Sequence, residues 1–244
     1  LSKLREKIME ARIVSTKLRK QTSRSSSRAE RLLLPHMPIQ FDQPSSDTNR
    51  VVETFVAERF SHHYQAEVTH FLPYLLSTKT DDKFTAAMGF QPAGTVTPLF
   101  IEQYLSSSIE NEISDITQQT VVRNTIAEVG NLTSVHRGTS QLLFILTIAI
   151  LHEAGFEWSV FTATKQVQQL LSKLNLVTIT LCEANPENLL GDQQAWGSYY
   201  ADKPNVLIGN LTDAYALLAQ HRVIGFVFKN YQQTITNIAH KIKR

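Results

Sequence analysis

The sequence predicts an α/β protein whose sheet mixes antiparallel and parallel strands. Three observations carry the prediction. Val51, Val52, Phe55, Val56, Phe60 and Tyr64 recur at helical spacing, which gives an amphipathic helix over residues 49–64. Apolar segments at residues 70–78 and 84–93 flank a polar turn containing Asp81 and Asp82, and this reads as an antiparallel hairpin. Residues 128–164 run strand, loop, long apolar helix and strand in direct succession; two strands joined by a helix of that length are most simply parallel, with a right-handed crossover.

At 244 residues, 42% of them apolar and 19% charged, the chain is long enough for one substantial core and has an ordinary globular composition. Its charge is unevenly placed. Residues 1–31 hold ten Lys and Arg against three Glu, a net +7, and since the whole chain carries +2 the remainder is −5. Residues 1–34 are therefore read as a basic, mobile arm, with the serine-rich stretch at 21–28 as a linker and the folded body starting near Pro35. Such an arm suits an anionic partner, either a membrane surface or an acidic carrier protein, and is otherwise a solvated tail; nucleic acid is not expected. The lone cysteine, Cys182, sits in the β-branched run VTITLCE and reads as a buried, unreactive thiol. The longest apolar run, at ten residues from 142 to 151, is too short for a bilayer span, which needs ~20. With charges where a signal peptide would be apolar, a cytoplasmic protein is expected.

The remaining elements follow in order. Pro98 introduces LFIEQYL at residues 99–105, ahead of a polar stretch with Glu110, Glu112 and Asp115 that is compatible with a helix. Residues 125–132 read as a central strand, 138–154 as a helix apolar almost all round and hence buried, and 158–164 as the next strand. Val167, Leu170, Leu171 and Leu174 give the following helix its stripe before residues 177–183 return to strand. One or two edge strands are expected within residues 191–210. Residues 211–244 form a helical extension in which helical patches alternate with VIGFVF at 223–228, and its basic end, Lys241, Lys243 and Arg244, suits a helix C-terminus.

Several residues stand out as candidates for chemistry. Arg137, Gly138, Thr139 and Ser140 lie where the long helix starts, so backbone amides and the helix dipole there could face an anion such as a pyrophosphate. Glu128 lies on the central strand, where alternation puts Ile126, Glu128, Gly130 and Leu132 on one side. A carboxylate there is costly to bury unless it is paired or used, which leaves open catalysis or an ion pair with Arg137 or Arg123. Glu102, inside an apolar segment, is either a substrate contact or a strand residue facing water. Tyr199 and Tyr200 either pack with Trp196 or supply a proton. Other patterns fail: His152-Glu153 is not completed to HExxH, Gly197-Ser198 lacks the G-x-S-x-G frame, and no Walker loop or paired CxxC is present. No metal site is expected.

The order helix, hairpin, central strand, glycine-bearing loop, helix, strand, helix, strand resembles the GNAT acyltransferase fold, to which acyl-homoserine-lactone synthases also belong. The resemblance implies a mixed, strongly twisted sheet flanked by helices over residues 35–210. Arg137-Gly138-Thr139-Ser140-Gln141-Leu142 overlies that fold's R/Q-x-x-G-x-G/A loop, which binds the donor's pyrophosphate; Arg137 matches, while Ser140 and Leu142 replace small or glycine residues. It further implies an acyl group moving from a coenzyme A or acyl carrier protein thioester to an amine, with no covalently bound cofactor. Glu128 would be the general base, Glu102 an acceptor contact, and Tyr199 or Tyr200 the acid to the leaving thiolate. More specifically, FIEQYL, EVGNL, RGTSQLLF, GFEWSVFTAT and WGSYY, in that order over roughly residues 48–210, resemble the bacterial thermostable hemolysin family, named for the delta-type hemolysin of vibrios. That name implies a secreted toxin that lyses blood cells, through an interfacial helix in the basic arm or indirectly through an acylated amphiphile.

Overall fold

A computed structural model describes residues 37–242, apart from Ser45, Asp47 and the side chain of Arg137. The basic arm expected at residues 1–34 lies outside the described residues. Among those described, strands β1 (Ile39–Asp42), β2 (Tyr74–Thr80), β3 (Lys83–Pro92), β4 (Ile126–Ser134), β5 (Trp158–Ala163), β6 (Ile179–Glu183) and β7 (Asn205–Asn210) form one sheet in the order β1-β2-β3-β4-β5-β7-β6. β4 and β5 run parallel, as expected, and every other neighbouring pair is antiparallel. The helices are α1 (Asn49–Tyr64), α2 (Ile109–Thr117), α3 (Arg137–Glu153), α4 (Lys165–Lys173), α5 (Leu211–Gln220) and α6 (Arg222–Ala239).

The strongest sequence signals map directly onto these elements. The β2–β3 hairpin closes through Asp81 and Asp82, both left-handed at φ 50° and 61°, the geometry of a two-residue turn matched to strand twist. The periodic segment at 49–64 is α1, whose Val52 and Val56 pack on Leu75 and Ala87 of the sheet. The neighbouring Met88 instead meets Thr147 of α3. Successive strand residues point to opposite faces, so α1 and α3 cover opposite sides of the sheet. Residues 142–151 of α3 are all buried, because α3 is held between the sheet and the pair α5 and α6. That position is why the helix is apolar all round.

Three expectations change. β7, expected at an edge, lies between β5 and β6, and its Val206, Leu207 and Ile208 are buried, as a strand covered on both faces requires. Residues 100–104 form a 3₁₀ turn, not a strand. VIGFVF does not interrupt the C-terminal helices but begins α6, where the His221 side chain accepts the Ile224 amide at 3.5 Å. β1 carried no sequence signal; it adds to the outer edge of β2.

The long connection between β6 and β7 folds back onto the end of α1. Ser198 donates its amide to the Tyr64 carbonyl at 2.8 Å, and Glu67 donates to the Ala195 carbonyl at 2.6 Å. Gly197 makes this approach possible: its φ is +51°, and a Cβ there would stand 2.1 Å from the Tyr64 carbonyl oxygen. Gly197→Ala is expected to cost roughly 2 kcal/mol or more, lowering the melting temperature by roughly 4 °C or more. An unchanged melting curve would show that this loop does not dock on α1.

Candidate active site

The central feature is a gap in the sheet. The parallel pairing of β4 with β5 covers Ile126 with Trp158, Ala127 with Ser159 and Glu128 with Val160, and then stops. Beyond Glu128, β4 stays with β3 and β5 with β7, so the two strands part. A bulge helps β4 away: Ala87 to Gly89 of β3 span Thr133 to Gly130 of β4, one residue more. Asn131 takes up the extra residue at φ 53°, and its Oδ1 accepts the Leu72 amide at 2.8 Å. The bulge inverts the alternation, so Leu132 does not share a face with Glu128 as expected.

A cleft fills the gap. Its outer part opens to solvent between Arg59 and His63 of α1, Ser140 and Gln141 of α3, and Gln166 and Lys173 of α4. Its inner part reaches Val129 and Gly130 of β4, Phe161 and Thr162 of β5, and Tyr199. Phe60, Tyr64, Leu132, Thr164 and Val167 line both, so the two parts adjoin.

Glu128 stands where the strands separate, next to Val129 in the cleft wall. Its side chain is buried, with the residue 5% exposed, and its Oε2 has no hydrogen-bond partner among the described residues. Burial, aided by the nearby charge of Glu102, pushes its carboxyl up to about 8 against the pull of the Ile101 and Phe100 amides. The ion pair with Arg123 considered from sequence does not form. Arg123 instead holds Glu102 at 2.7 and 2.8 Å, Glu110 at 2.7 Å and the carbonyls of Ala93 and Val96 at 3.0 and 3.1 Å.

Glu102 is thus turned inward, its side chain 7% exposed, and does not face water. Its oxygens also accept the Leu99 and Ile109 amides at 2.6 and 2.8 Å. Burial pushes its carboxyl up, but Arg123 and these amides outweigh it and hold the group below the usual range. Both oxygens are occupied, so the geometry makes Glu102 the brace of the 3₁₀ turn whose amides meet Glu128.

The two tyrosines are separated by their surroundings. Tyr199 lines the inner cleft, with its hydroxyl 3.1 Å from the Thr162 hydroxyl. Tyr200 points to Tyr104, hydroxyl to hydroxyl. Burial raises the phenols of all three. Tyr104, which no sequence pattern singled out, lies close enough to Glu128 to feel its charge. Trp196 packs against both Tyr199 and Tyr200, at 5.5 and 5.9 Å between ring centres.

At the start of α3 the predicted anion loop is divided. His136 offers no side-chain cap, and a Cβ on Gly138 would meet nothing within 4 Å, so the Cα of Gly138 borders open space. Ser140 lines the outer cleft. Thr139 turns inward, its hydroxyl donating to the His136 and Thr85 carbonyls at 2.6 and 3.3 Å. Arg137 begins the helix, and its side chain lies outside the description. Cys182 is half-buried, its thiol donating to the Tyr104 carbonyl at 3.4 Å and kept protonated chiefly by burial. Among the described residues no cluster of three metal-binding side chains occurs, and no helix is long and apolar enough to cross a membrane.

Removing the Arg123 guanidinium would leave Glu102 and Glu110 facing each other without a cation. Arg123→Met is expected to cost about 2–3 kcal/mol, given that the group is partly solvated. Urea denaturation at pH 7 measures it, and a change below about 0.5 kcal/mol would show that the network does not brace the turn.

Similarities to known proteins agree with this architecture. No curated protein matches the sequence. FeeM, an N-acyl amino acid synthase from uncultured soil microbes, has a similar structure, with a TM-score of 0.51 and 9% identity over 78% of this chain and 98% of that one. The acyl-homoserine lactone synthases BjaI and LasI are similar at a TM-score of 0.47 and 10% identity, over 80% and 72% of this chain and 90% of each of theirs. At these identities the likeness to FeeM is one of fold, and it is the GNAT-like fold expected from the segment order. The family model for thermostable hemolysin matches residues 42–215, well over half of the sequence, and the chain belongs to that family.

Proposed function

We propose that this protein is an N-acyltransferase-like enzyme that moves an acyl group from a coenzyme A or acyl carrier protein thioester to an amine. The observation that carries the reading is the buried carboxyl of Glu128, whose Oε2 has no hydrogen-bond partner among the described residues, at the point where β4 parts from β5, beside a cleft whose outer part reaches the start of α3. The donor's phosphates would lie at the start of α3, at the amides of Arg137 and Gly138, since those of Thr139 and Ser140 already bond to the His136 carbonyl at 3.1 and 3.4 Å; Arg59 and Lys173 line the outer cleft with Ser140. Its thioester arm would run into the gap between the strands. Glu128 takes the proton as the amine nitrogen bonds to the acyl carbon; the C–S bond breaks, and the thiolate needs a proton in return. Tyr199, which lines the cleft, is better placed to give it than Tyr200. FeeM, which shares the fold, carries out N-acylation of amino acids by its name; the acceptor here is an amine of unspecified class.

A base at about 8 sets the pH dependence. The rate at limiting substrate should rise with pH and level off above about 8, and Glu128→Gln should lower turnover by ~10² or more while the fold survives. Stability runs the other way. The carboxyl is raised from 4.5 to about 8, so its contribution is present at low pH and is lost as pH rises through about 8. Between pH 5 and 8.5 the wild type should weaken in urea more than Glu128→Gln does. Unchanged turnover in the variant would remove Glu128 from the mechanism.

The family's description favours a second reading, a hemolysin that disrupts blood-cell membranes without turnover, secreted and acting through the basic arm. Hemolysis by wild type and Glu128→Gln separates the two. Equal lysis by both supports direct membrane action, whereas lysis lost with turnover supports an acylated product as the lytic agent.

A further inference from the structure

Alkyl amines and amino acids are held largely as ammonium ions near neutrality. Acylating one by a thioester releases one net proton, since the nitrogen gives up two and the thiolate regains one. That proton lands on Glu128, which is 5% exposed, and must leave it before the next cycle. Ile126 and Glu128 project to one face of β4, and Val160, the β5 partner of Glu128, projects to the same face. Ile126 and Val160 pack there in one buried cluster with Ile101 and Tyr104 of the 3₁₀ turn. Glu102, on that turn, has both oxygens occupied by Arg123 and two amides. Tyr104 brings a hydroxyl into this apolar wall. It is 6% exposed, and its hydroxyl bonds that of the half-buried Tyr200. Either oxygen can be the donor, so the pair keeps one proton outside the shared bond and can hold it at either end. Tyr200 is itself fixed edge-on to Trp196 and Tyr199, at 5.9 and 5.1 Å between ring centres. Burial raises both phenols of the pair, so each remains a hydroxyl while Glu128 titrates.

We propose that the hydroxyl pair of Tyr104 and Tyr200 is the outlet for the proton that Glu128 takes from the acceptor. The inference rests on the reading of Glu128 as base and adds two residues that act through it without touching the substrate. Glu128 passes its proton, across one water, to the Tyr104 oxygen; the Tyr104 proton moves to the Tyr200 oxygen, and the Tyr200 proton goes to solvent water. Each oxygen gains one proton as it loses one, and the carboxylate is restored. Rotation of both hydroxyls then resets the pair.

The test is ¹³C NMR of the full chain labelled at its glutamate carboxyls, with the Glu128 line assigned by its loss in Glu128→Gln. Through the titration of Glu128 near 8, wild type should give one line that moves with pH, because the carboxyl exchanges its proton rapidly with water. Tyr104→Phe and Tyr200→Phe should each give two fixed lines, acid and carboxylate, whose intensities trade as pH rises. A purely structural role predicts the opposite, since a loosened turn admits water and speeds exchange. Tyr200 is half-buried and lies outside the sheet, which keeps the test open should the Tyr104 variant fail to fold. A single moving line in either folded variant, or two fixed lines already in wild type, overturns the outlet and leaves the base to be decided by the turnover of Glu128→Gln. A wild-type Glu128 line that does not titrate in this range removes both.

Discussion

The opening between β4 and β5 is the constraint on which the rest of the molecule depends. A sheet that parts at its centre leaves peptide groups without strand partners, and such groups are costly unless the surroundings or a ligand meet them. Each strand is therefore secured on its far side. β4 is bonded to β3 through a bulge whose Asn131 is tied to Leu72, and β5 is bonded along its full length to β7. Side chains from α1 and from the β6–β7 connection, Phe60, Tyr64 and Tyr199, then close over the gap. The cleft is a product of scaffolding on both flanks, which lets its walls be main chain and its floor be apolar side chains.

The second constraint is remote from the gap and acts through Arg123. One guanidinium joins the carbonyls of Ala93 and Val96 to two carboxylates, and so fastens the turn at Phe100–Tyr104 to the segment before it and to α2. That turn presents the Phe100 and Ile101 amides to Glu128. Glu102 has two effects on its neighbour: it fixes the amides that stabilise the Glu128 anion, and its own charge disfavours that anion. Burial dominates, and the carboxyl ends near 8, within reach of protonation and deprotonation around neutrality. A direct Arg123 pair with Glu128 would have pulled it the other way and left it a permanently charged structural group.

What the sequence could disclose was local. Spacing within one turn of helix marked α1, the pair Asp81 and Asp82 marked the hairpin, and the all-apolar run marked α3 as a buried crossover between parallel strands. Glu128, Tyr199 and the start of α3 were visible as polar groups in places where such groups are costly or exposed to a ligand. The bulge at Asn131 was not visible, because it depends on Leu72, 59 residues away. Nor was the choice of Arg123 for Glu102 over Glu128, since both carboxylates lie on apolar segments and the guanidinium's partners are decided by loop packing. Tyr104 looked like one more aromatic in an apolar stretch until Tyr200, 96 residues on, was placed against it.

The family's name and the function proposed for Glu128 are different activities, and the burial pattern bears on the difference. Direct lysis requires apolar surface that can enter a bilayer. In the described residues the longest apolar helix is α3, and it is enclosed between the sheet and the α5–α6 pair. Exposing it would separate the layers that hold β3 and β4, and with them the cleft and Glu128. A molecule that used α3 on membranes would destroy its own candidate active site. Lysis and turnover can coexist in one folded state when the lytic agent is a product, since joining a long acyl chain to an amine makes an amphiphile, or when membrane contact is confined to the basic residues 1–34.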